Sequence, residues 1–99
     1  MTLKYDKFVL VLMSRYKDMD PEVVGVFENL KSARAGLVEA EETFRAACHP
    51  DESLEPVDVL AERLTLRTSV DQGEYMGLPK RSYWLSRFPV MRLEDEHGA

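Results

Sequence analysis

The fold prediction depends on residues 20–48, which read DPEVVGVFENLKSARAGLVEAEETFRAAC. Asp20 is a favourable helix N-cap residue, and Pro21 suits the first helical position, where its missing N–H has no partner to lose. His49 and Pro50 follow the last periodic residue, and proline ends a helix. These signals predict one central helix over residues 20–48, about 42 Å long at about 1.5 Å per residue.

Apolar residues recur every seven positions along this predicted helix, as they do in helices that pack lengthwise against a partner. One row is Val23, Leu30, Leu37 and Phe44, and a second, alanine-rich row is Val26, Ala33, Ala40 and Ala47. Alanine allows a second helix to approach closely. We therefore expect an oligomer interface formed by Val23, Val26, Leu30, Ala33, Leu37, Ala40 and Phe44.

A second helix is predicted at about residues 55–71, with Pro56 in its first turn. Apolar residues occupy positions i, i+3, i+4 and i+7 of that segment: Val57, Leu60, Ala61 and Leu64. This partner is too short to cover the seam of the central helix, so self-association is expected. The alternative is that residues 3–16 cover the rest of the seam and the protein stays monomeric. The alternation from Leu64 to Val70 also suits a strand.

The two ends of the chain complete the predicted architecture. Residues 5–16 carry a helical stripe, although Phe8–Met13 resembles a buried strand in its residue types. Residues 79–88 are predicted to form a short helix that ends at Pro89. The expected fold class is all-α, a small bundle built on the central helix. The alternative is α+β, with strands near residues 8–13 and 64–70 paired beneath the helices.

Length and composition limit the class of protein. Ninety-nine residues, 44% of them hydrophobic, fit one helical domain over residues 1–93 and an acidic tail over 94–99. The net charge of −5 argues against general electrostatic binding to DNA. Cys48 is the only cysteine, which favours a reducing compartment. The longest apolar run, residues 8–13, is too short to span a membrane and no signal cleavage site follows it. We expect a soluble, cytoplasmic protein.

No motif in the sequence indicates catalysis or a cofactor. The acids of residues 18–22 resemble the start of a calcium loop, but Val23 and Asn29 replace the required glycine and glutamate. Cys48 and His49, with Asp51 and Glu52, lack the separated pairs of a structural zinc site. Glu39, Glu41 and Glu42 are expected on a solvated helix face. The chain is therefore predicted not to be an enzyme and to hold no metal or cofactor.

The segment PKRSYWLSRF, residues 79–88, concentrates aromatic and cationic side chains, the types that dominate protein interfaces. The predicted partner-binding residues are Arg81, Tyr83, Trp84, Arg87 and Phe88. Core closure by Trp84 and Phe88 is the competing interpretation.

We expect a non-enzymatic protein-interaction module, an accessory regulator or inhibitor that binds a partner protein and self-associates. The alternative is a binder of nucleic acid or a nucleotide ligand that uses the basic ends of the chain. It requires five cations to converge on one face: Arg15, Lys17, Lys80, Arg81 and Arg87.

Overall fold

The fold is a four-stranded antiparallel sheet with two helices packed on one of its faces. The computed structural model describes the backbone of residues 2–47, 54–75 and 78–94, and the side chains of residues 7–47, 54–73 and 80–90. The elements follow one another as β1 (Thr2–Tyr16), β2 (Glu22–Phe27), α1 (Leu30–Ala47), α2 (Val57–Glu62), β3 (Val70–Tyr75) and β4 (Leu78–Glu94).

The sheet has the strand order β2-β1-β4-β3, so that two long strands lie in the centre and two short strands at the edges. β2 pairs with residues 10–14 of β1, and β3 pairs with residues 78–83 of β4. Beyond these short strands, β1 and β4 pair only with each other among the described residues, as far as Thr2 opposite Glu94. The described chain is therefore elongated, with extents of 59 × 24 × 24 Å.

The core lies between the helices and one face of the sheet. Alternate residues of the long strands, Leu10 and Leu12 on β1 and Tyr83 and Leu85 on β4, are buried against the helices. The remaining buried apolar residues are Ala33, Leu37, Leu60, Ala61, Leu64 and Val70. The strands thus turn every second side chain towards α1 and α2.

The predicted helix over residues 20–48 is wrong in its first third, because α1 begins at Leu30 and residues 22–27 form β2. Three valines and a phenylalanine within six residues favour a strand. The true helix start is marked by Asn29, whose Oδ1 accepts a hydrogen bond of 2.8 Å from the Ser32 amide. Asp20 and Pro21 precede β2 instead of capping a helix.

The predicted partner helix over residues 55–71 is also wrong in extent, since α2 ends at Glu62 and β3 begins at Val70. Arg34 of α1 explains the early end. Its Nη2 donates to the Glu62 carbonyl at 3.1 Å and its Nε to the Leu64 carbonyl at 3.0 Å. Carbonyls that end a helix need such partners, and here a distant side chain supplies them.

Residues 5–16 and 79–88 are strands, not helices, so the expected all-α bundle is wrong and the fold is α+β. The α+β alternative placed one strand at residues 8–13, which do lie within β1. It paired that strand with residues 64–70, but β1 pairs with β2 and β4. Of residues 64–70, only Val70 belongs to β3. Pro89 does not end a helix. It lies in β4 opposite Phe8, where β1 is the only paired neighbour among the described strands. Proline is tolerated at such an edge.

Candidate functional site

The face of the sheet that points away from the helices is largely apolar. Its residues alternate with core residues along each strand. Val11 and Met13 of β1 lie on either side of the buried Leu12, and their partners on β4, Ser86 and Trp84, lie on either side of the buried Leu85. Neither α1 nor α2 covers it. We call it the open face, and its members are Val9, Val11, Met13, Val23, Val26, Trp84, Ser86 and Phe88.

A bulge in β2 enlarges the apolar area of the open face. Leu12 pairs with Gly25 and Met13 with Val23, so Val24 is an extra residue on β2. Residues three apart normally lie on opposite faces of a strand, but the extra residue puts Val23 and Val26 on the same face. Both are 60% exposed, and Phe88 at the far side of the open face is 52% exposed.

Polar groups lie at the margins of the open face. The Arg15 guanidinium lies 5.9 Å from the centre of the Trp84 ring. Ser82 Oγ donates a hydrogen bond of 2.8 Å to Asp71 Oδ1 on the neighbouring strand. Lys7 lies at the other end, opposite Val90. The open face therefore has an apolar centre and a polar margin, the arrangement found in protein interfaces.

On the helix side of the sheet, a buried carboxylate organises a cluster of ionic and aromatic groups. Glu41 of α1 is fully buried and accepts hydrogen bonds from both Arg81 and Tyr83 of β4. Arg81 binds it in a bidentate manner, with Nε 2.7 Å from Oε1 and Nη2 2.5 Å from Oε2. Arg45 donates from Nε at 2.7 Å, and Arg81 also stacks on Phe44, 4.1 Å from its ring centre.

The cluster holds Glu41 ionised and Tyr83 neutral. Burial raises the pKa of Glu41, but the hydrogen bonds from Arg81, Arg45 and Tyr83 outweigh burial and bring the pKa below its ordinary value. Burial, with the adjacent Glu41 charge, raises the pKa of Tyr83 well above its ordinary value. Both carboxylate oxygens of Glu41 accept hydrogen bonds from within the fold, so the cluster links α1 to β4.

A groove of about 900 Å³ runs between α1 and the edge strand β2. We call it the β2–α1 groove. Its helix side consists of Ser32, Ala35, Gly36, Glu39, Ala40 and Thr43. Phe27 lies at one end, Phe44 and Tyr16 lie at the other, and the two rings of that pair are 5.4 Å apart. Asp20 and Glu22 complete the margin at the start of β2.

The structure divides the predicted partner-binding residues of β4 between the two faces. Trp84 and Phe88 lie on the open face, whereas Arg81 and Tyr83 belong to the buried Glu41 cluster. Arg87 faces the helix side, with its guanidinium 4.5 Å from the centre of the Phe8 ring. Alternation along a strand separates residues that a helix of ten residues would have placed together.

The predicted oligomer seam is divided in a similar way. Val23 and Val26 lie on the open face of β2, while Ala33 and Leu37 are fully buried in the core. Leu30 is at the start of α1 and packs against the core. Ala40 and Phe44 line the β2–α1 groove. A coiled-coil interface is therefore excluded, because its central residues already pack against the sheet.

The cations required by the nucleic-acid alternative do not share one face. Arg15 stacks on Trp84 at the open face, Arg87 stacks on Phe8 on the opposite side, and Arg81 is buried with Glu41. The Lys17 amide donates to the Lys80 carbonyl at 2.8 Å, which places these two residues together at one end of the sheet.

The metal-ligand candidates give no further site. Among the residues that the structure describes, no three histidine, cysteine or acidic side chains are grouped as metal ligands would be. Cys48, His49, Asp51 and Glu52 lie outside the described residues. Within the described chain, neither helix is long and apolar enough to cross a membrane.

Comparisons with known proteins give no relative. A scan of protein-family models, a search of curated proteins and a search of solved structures each found no match to this chain. The function must therefore be argued from the open face, the Glu41 cluster and the β2–α1 groove.

Proposed function

We propose that the protein is a non-enzymatic protein-interaction module that acts as a homodimer, with the open faces of two copies packed together. The observation that carries the proposal is that the sheet is apolar on both faces while helices cover only one. Antiparallel sheets with a solvated face normally carry polar residues there. In β1 the outward positions 9, 11 and 13 are instead Val, Val and Met.

The size of the open face suits a second copy that binds weakly. Residues 7–15 of β1 extend about 30 Å at ~3.3 Å per residue. Between two and four strands lie side by side along that length, at ~4.8 Å per strand, because β2 pairs only with residues 10–14 of β1 and β3 only with residues 78–83 of β4. That is about 400 Å² for each copy, or about 800 Å² for a pair, which is smaller than most stable specific interfaces and fits a dimer that dissociates on dilution. Stacked sheets about 10 Å apart are a common packing of this kind.

The charge distribution also favours pairing through this face. Each copy carries a net charge of −5, so two copies repel one another at long range. Asp71 is the only acid among the described side chains at the margin of the open face, where Lys7 and Arg15 lie as well. Face-to-face contact therefore brings together surfaces that carry few acids, and a two-fold axis presents the same patch from both.

The test is the solution mass of the protein and of two variants. The double variant Val26→Glu, Phe88→Glu places charges at two exposed positions of the open face, so the cost to the fold of one copy is small. At tens of micromolar, light scattering should give about twice 11.4 kDa for the wild type and the single mass for the double variant.

Val59→Glu is the matched control, because Val59 is an apolar residue of α2 that is 40% exposed on the helix side. It adds a charge without touching the open face and should leave the dimer intact. A wild type that remains at 11.4 kDa throughout this range would refute the homodimer. Loss of the dimer in Val59→Glu as well would show that the open face is not its interface.

The remaining features of the chain are consistent with this role. Both carboxylate oxygens of Glu41 accept hydrogen bonds inside the fold, as expected of a structural ion pair. The single cysteine fits a protein of the cytoplasm, which we propose as its location. The accessory role, as a regulator or inhibitor of a larger partner, requires a further binding surface besides the one that the second copy occupies.

A further inference from the structure

We propose that the β2–α1 groove binds an extended, basic segment of a partner protein, which adds to the sheet as a fifth strand along the outer edge of β2. This goes beyond dimerisation through the open face, because it uses the opposite side and the edge of the sheet. Three observations carry it: the edge of β2, the groove beside that edge, and the charge of the groove.

The outer edge of β2 is available for pairing. β2 is the terminal strand of the sheet and pairs only with β1 in the described structure. After Glu22 its residues are all uncharged, so the edge lacks the charged side chains that normally prevent strand addition. The opposite edge, β3, is better protected, because it carries Asp71 and Glu74 and is distorted at Gly73, whose φ is +72°.

A helix beside an edge strand creates a groove in which a peptide is held by main-chain hydrogen bonds, while its alternate side chains select the sequence. α1 lies along β2 in this way. Phe27 near the end of β2 contacts Gly36, and Glu22 at its start lines the same groove as Thr43 and Phe44. The volume of about 900 Å³ is enough for the side chains of a short strand.

The groove has an acidic margin. Asp20 and Glu22 line it at the start of β2, and Glu39 lines it from α1, and all three side chains are exposed. Two cations also line the groove: Arg81, which shares the Glu41 carboxylate with Arg45, and Arg15, whose guanidinium lies over Trp84 at the other face. The three exposed carboxylates outnumber them. The electrostatic field in the groove therefore favours lysine or arginine on the incoming strand.

The preferred sequence follows from the pleat of the sheet. In a strand added to β2, every second side chain points into the groove and the others extend the open face. Cations at the groove positions lay their aliphatic stems along Phe27 and Ala40 and bring their charges to the acidic margin. Apolar residues at the other positions continue the surface formed by Val23 and Val26. The expected ligand alternates basic and apolar residues.

The experiment uses a capped hexapeptide in which lysine and valine alternate, as long as the six residues of β2. It is titrated into the full chain while the amide resonances of residues 22–27 are followed by NMR. Saturable shifts in β2 are expected. Two control peptides are used: one with glutamate in place of lysine, and one with alternate backbone nitrogens methylated, which removes the donors needed for strand addition.

The protein variants separate the groove from other surfaces. Glu22→Lys, Glu39→Lys should raise the Kd about tenfold or more, because attraction at two exposed sites becomes repulsion. Glu42→Lys is the matched control, an exposed residue of α1 outside the groove, and should leave the Kd within about twofold. Phe88→Glu tests independence from the dimer and should bind the peptide as the wild type does.

Several results would overturn the proposal. Equal binding of the methylated or the glutamate peptide would rule out strand addition or charge selection, respectively. An unchanged Kd in Glu22→Lys, Glu39→Lys would place the peptide elsewhere. In the variant Val26→Glu, Phe88→Glu, which blocks dimerisation through the open face, the β2 resonances should not depend on protein concentration in the absence of peptide. If they do shift in that variant, then a second copy occupies the edge and the proposal fails.

Discussion

At the residue scale, Glu41 is the group on which the packing of α1 against the sheet depends most. It is fully buried and is shared by Arg81, which is 4% exposed, and by Arg45 and Tyr83. Replacing it by glutamine keeps the shape but leaves the buried Arg81 charge without a counter-ion. Removal of one partner from a buried ion pair costs about 3–5 kcal/mol.

We therefore expect Glu41→Gln to lower the free energy of unfolding by about 3 kcal/mol, measured by urea denaturation at fixed protein concentration. Glu39→Gln removes an exposed carboxylate two residues earlier on α1 and should change the stability by less than about 0.5 kcal/mol. Equal effects of the two substitutions would mean that the Glu41 ion pairs contribute nothing specific.

The same group predicts a pH dependence. The pKa of Glu41 is lower in the folded chain than its ordinary value of 4.5. As the pH falls below that value, the unfolded chain takes up the proton first, so the Glu41 contribution to stability is full above about pH 4.5 and is lost as the pH falls through the folded pKa. The stability difference between wild type and Glu41→Gln should therefore narrow on acidification. A difference that is constant from neutral to acidic pH would contradict this assignment.

This cluster could not be predicted from the sequence. Glu41 and Arg81 are forty residues apart, and a single sequence contains no signal of long-range pairing. Glu41 was expected on a solvated face together with Glu39 and Glu42. Both of those are exposed, so that expectation holds for the two neighbours and is wrong for Glu41 alone.

At the element scale, the period of the apolar pattern determines which predictions are correct. Residues 30–47 are helical as predicted, because about five turns of apolar spacing there are not interrupted by β-branched runs. In β4, Trp84 and Phe88 fall on one side of either a helix or a strand, since a spacing of four fits both periods. The outward and inward positions of that strand are equally mixed in polarity, so no alternation identified it as a strand.

The packing of α1 on β2 depends on Phe27, which lies between two glycines. A Cβ added to Gly25 would be 2.9 Å from Phe27 Cζ, and a Cβ added to Gly36 would lie still closer to that atom. No real Cβ atom makes such contacts without a shift of its neighbours. Gly25 and Gly36 are thus the positions that leave room for the Phe27 ring between strand and helix.

This arrangement predicts a reversal of sign for Gly36→Ala. Within a helix this substitution normally stabilises by about 1 kcal/mol. Here the added methyl group meets the Phe27 ring, and overpacking costs about 1–3 kcal/mol, so we expect net destabilisation. In the background Phe27→Leu, which removes the ring, Gly36→Ala should become neutral or stabilising. Urea denaturation of the four proteins of this cycle provides the test, and additive effects would refute the contact.

At the scale of the whole molecule, the sequence contains the pattern that indicates the open face, but the same residues were interpreted as a helix. Phe8–Met13 is a continuous apolar run, the pattern of a strand that is buried on both sides. Self-association was expected from a helical seam whose central residues, Ala33 and Leu37, are in fact core residues. Val23 and Val26 are the two members of that seam that lie on the open face, and the bulge that brings them together is not visible in the pattern.

Trp84 is the only tryptophan of the chain and lies half-buried on the open face, so it reports directly on pairing there. If two open faces pack together, Trp84 loses contact with water. Its emission maximum should then move to shorter wavelength and its quenching by iodide should decrease as the protein concentration rises through the Kd. An interface of about 800 Å² is expected to dissociate at micromolar or higher concentration, where both states are accessible to fluorescence.

One variant of the open face and one of the helix side distinguish a dimer through the open face from a dimer through another surface. In Val26→Glu, Phe88→Glu the emission should be independent of concentration, whereas Val59→Glu should follow the wild-type curve. A dimer formed through the edge of β2 would leave Trp84 in contact with water. A doubled mass with concentration-independent Trp84 emission would therefore show that the dimer forms through the edge of β2 and not through the open face. Only face-to-face packing removes water from the centre of the sheet.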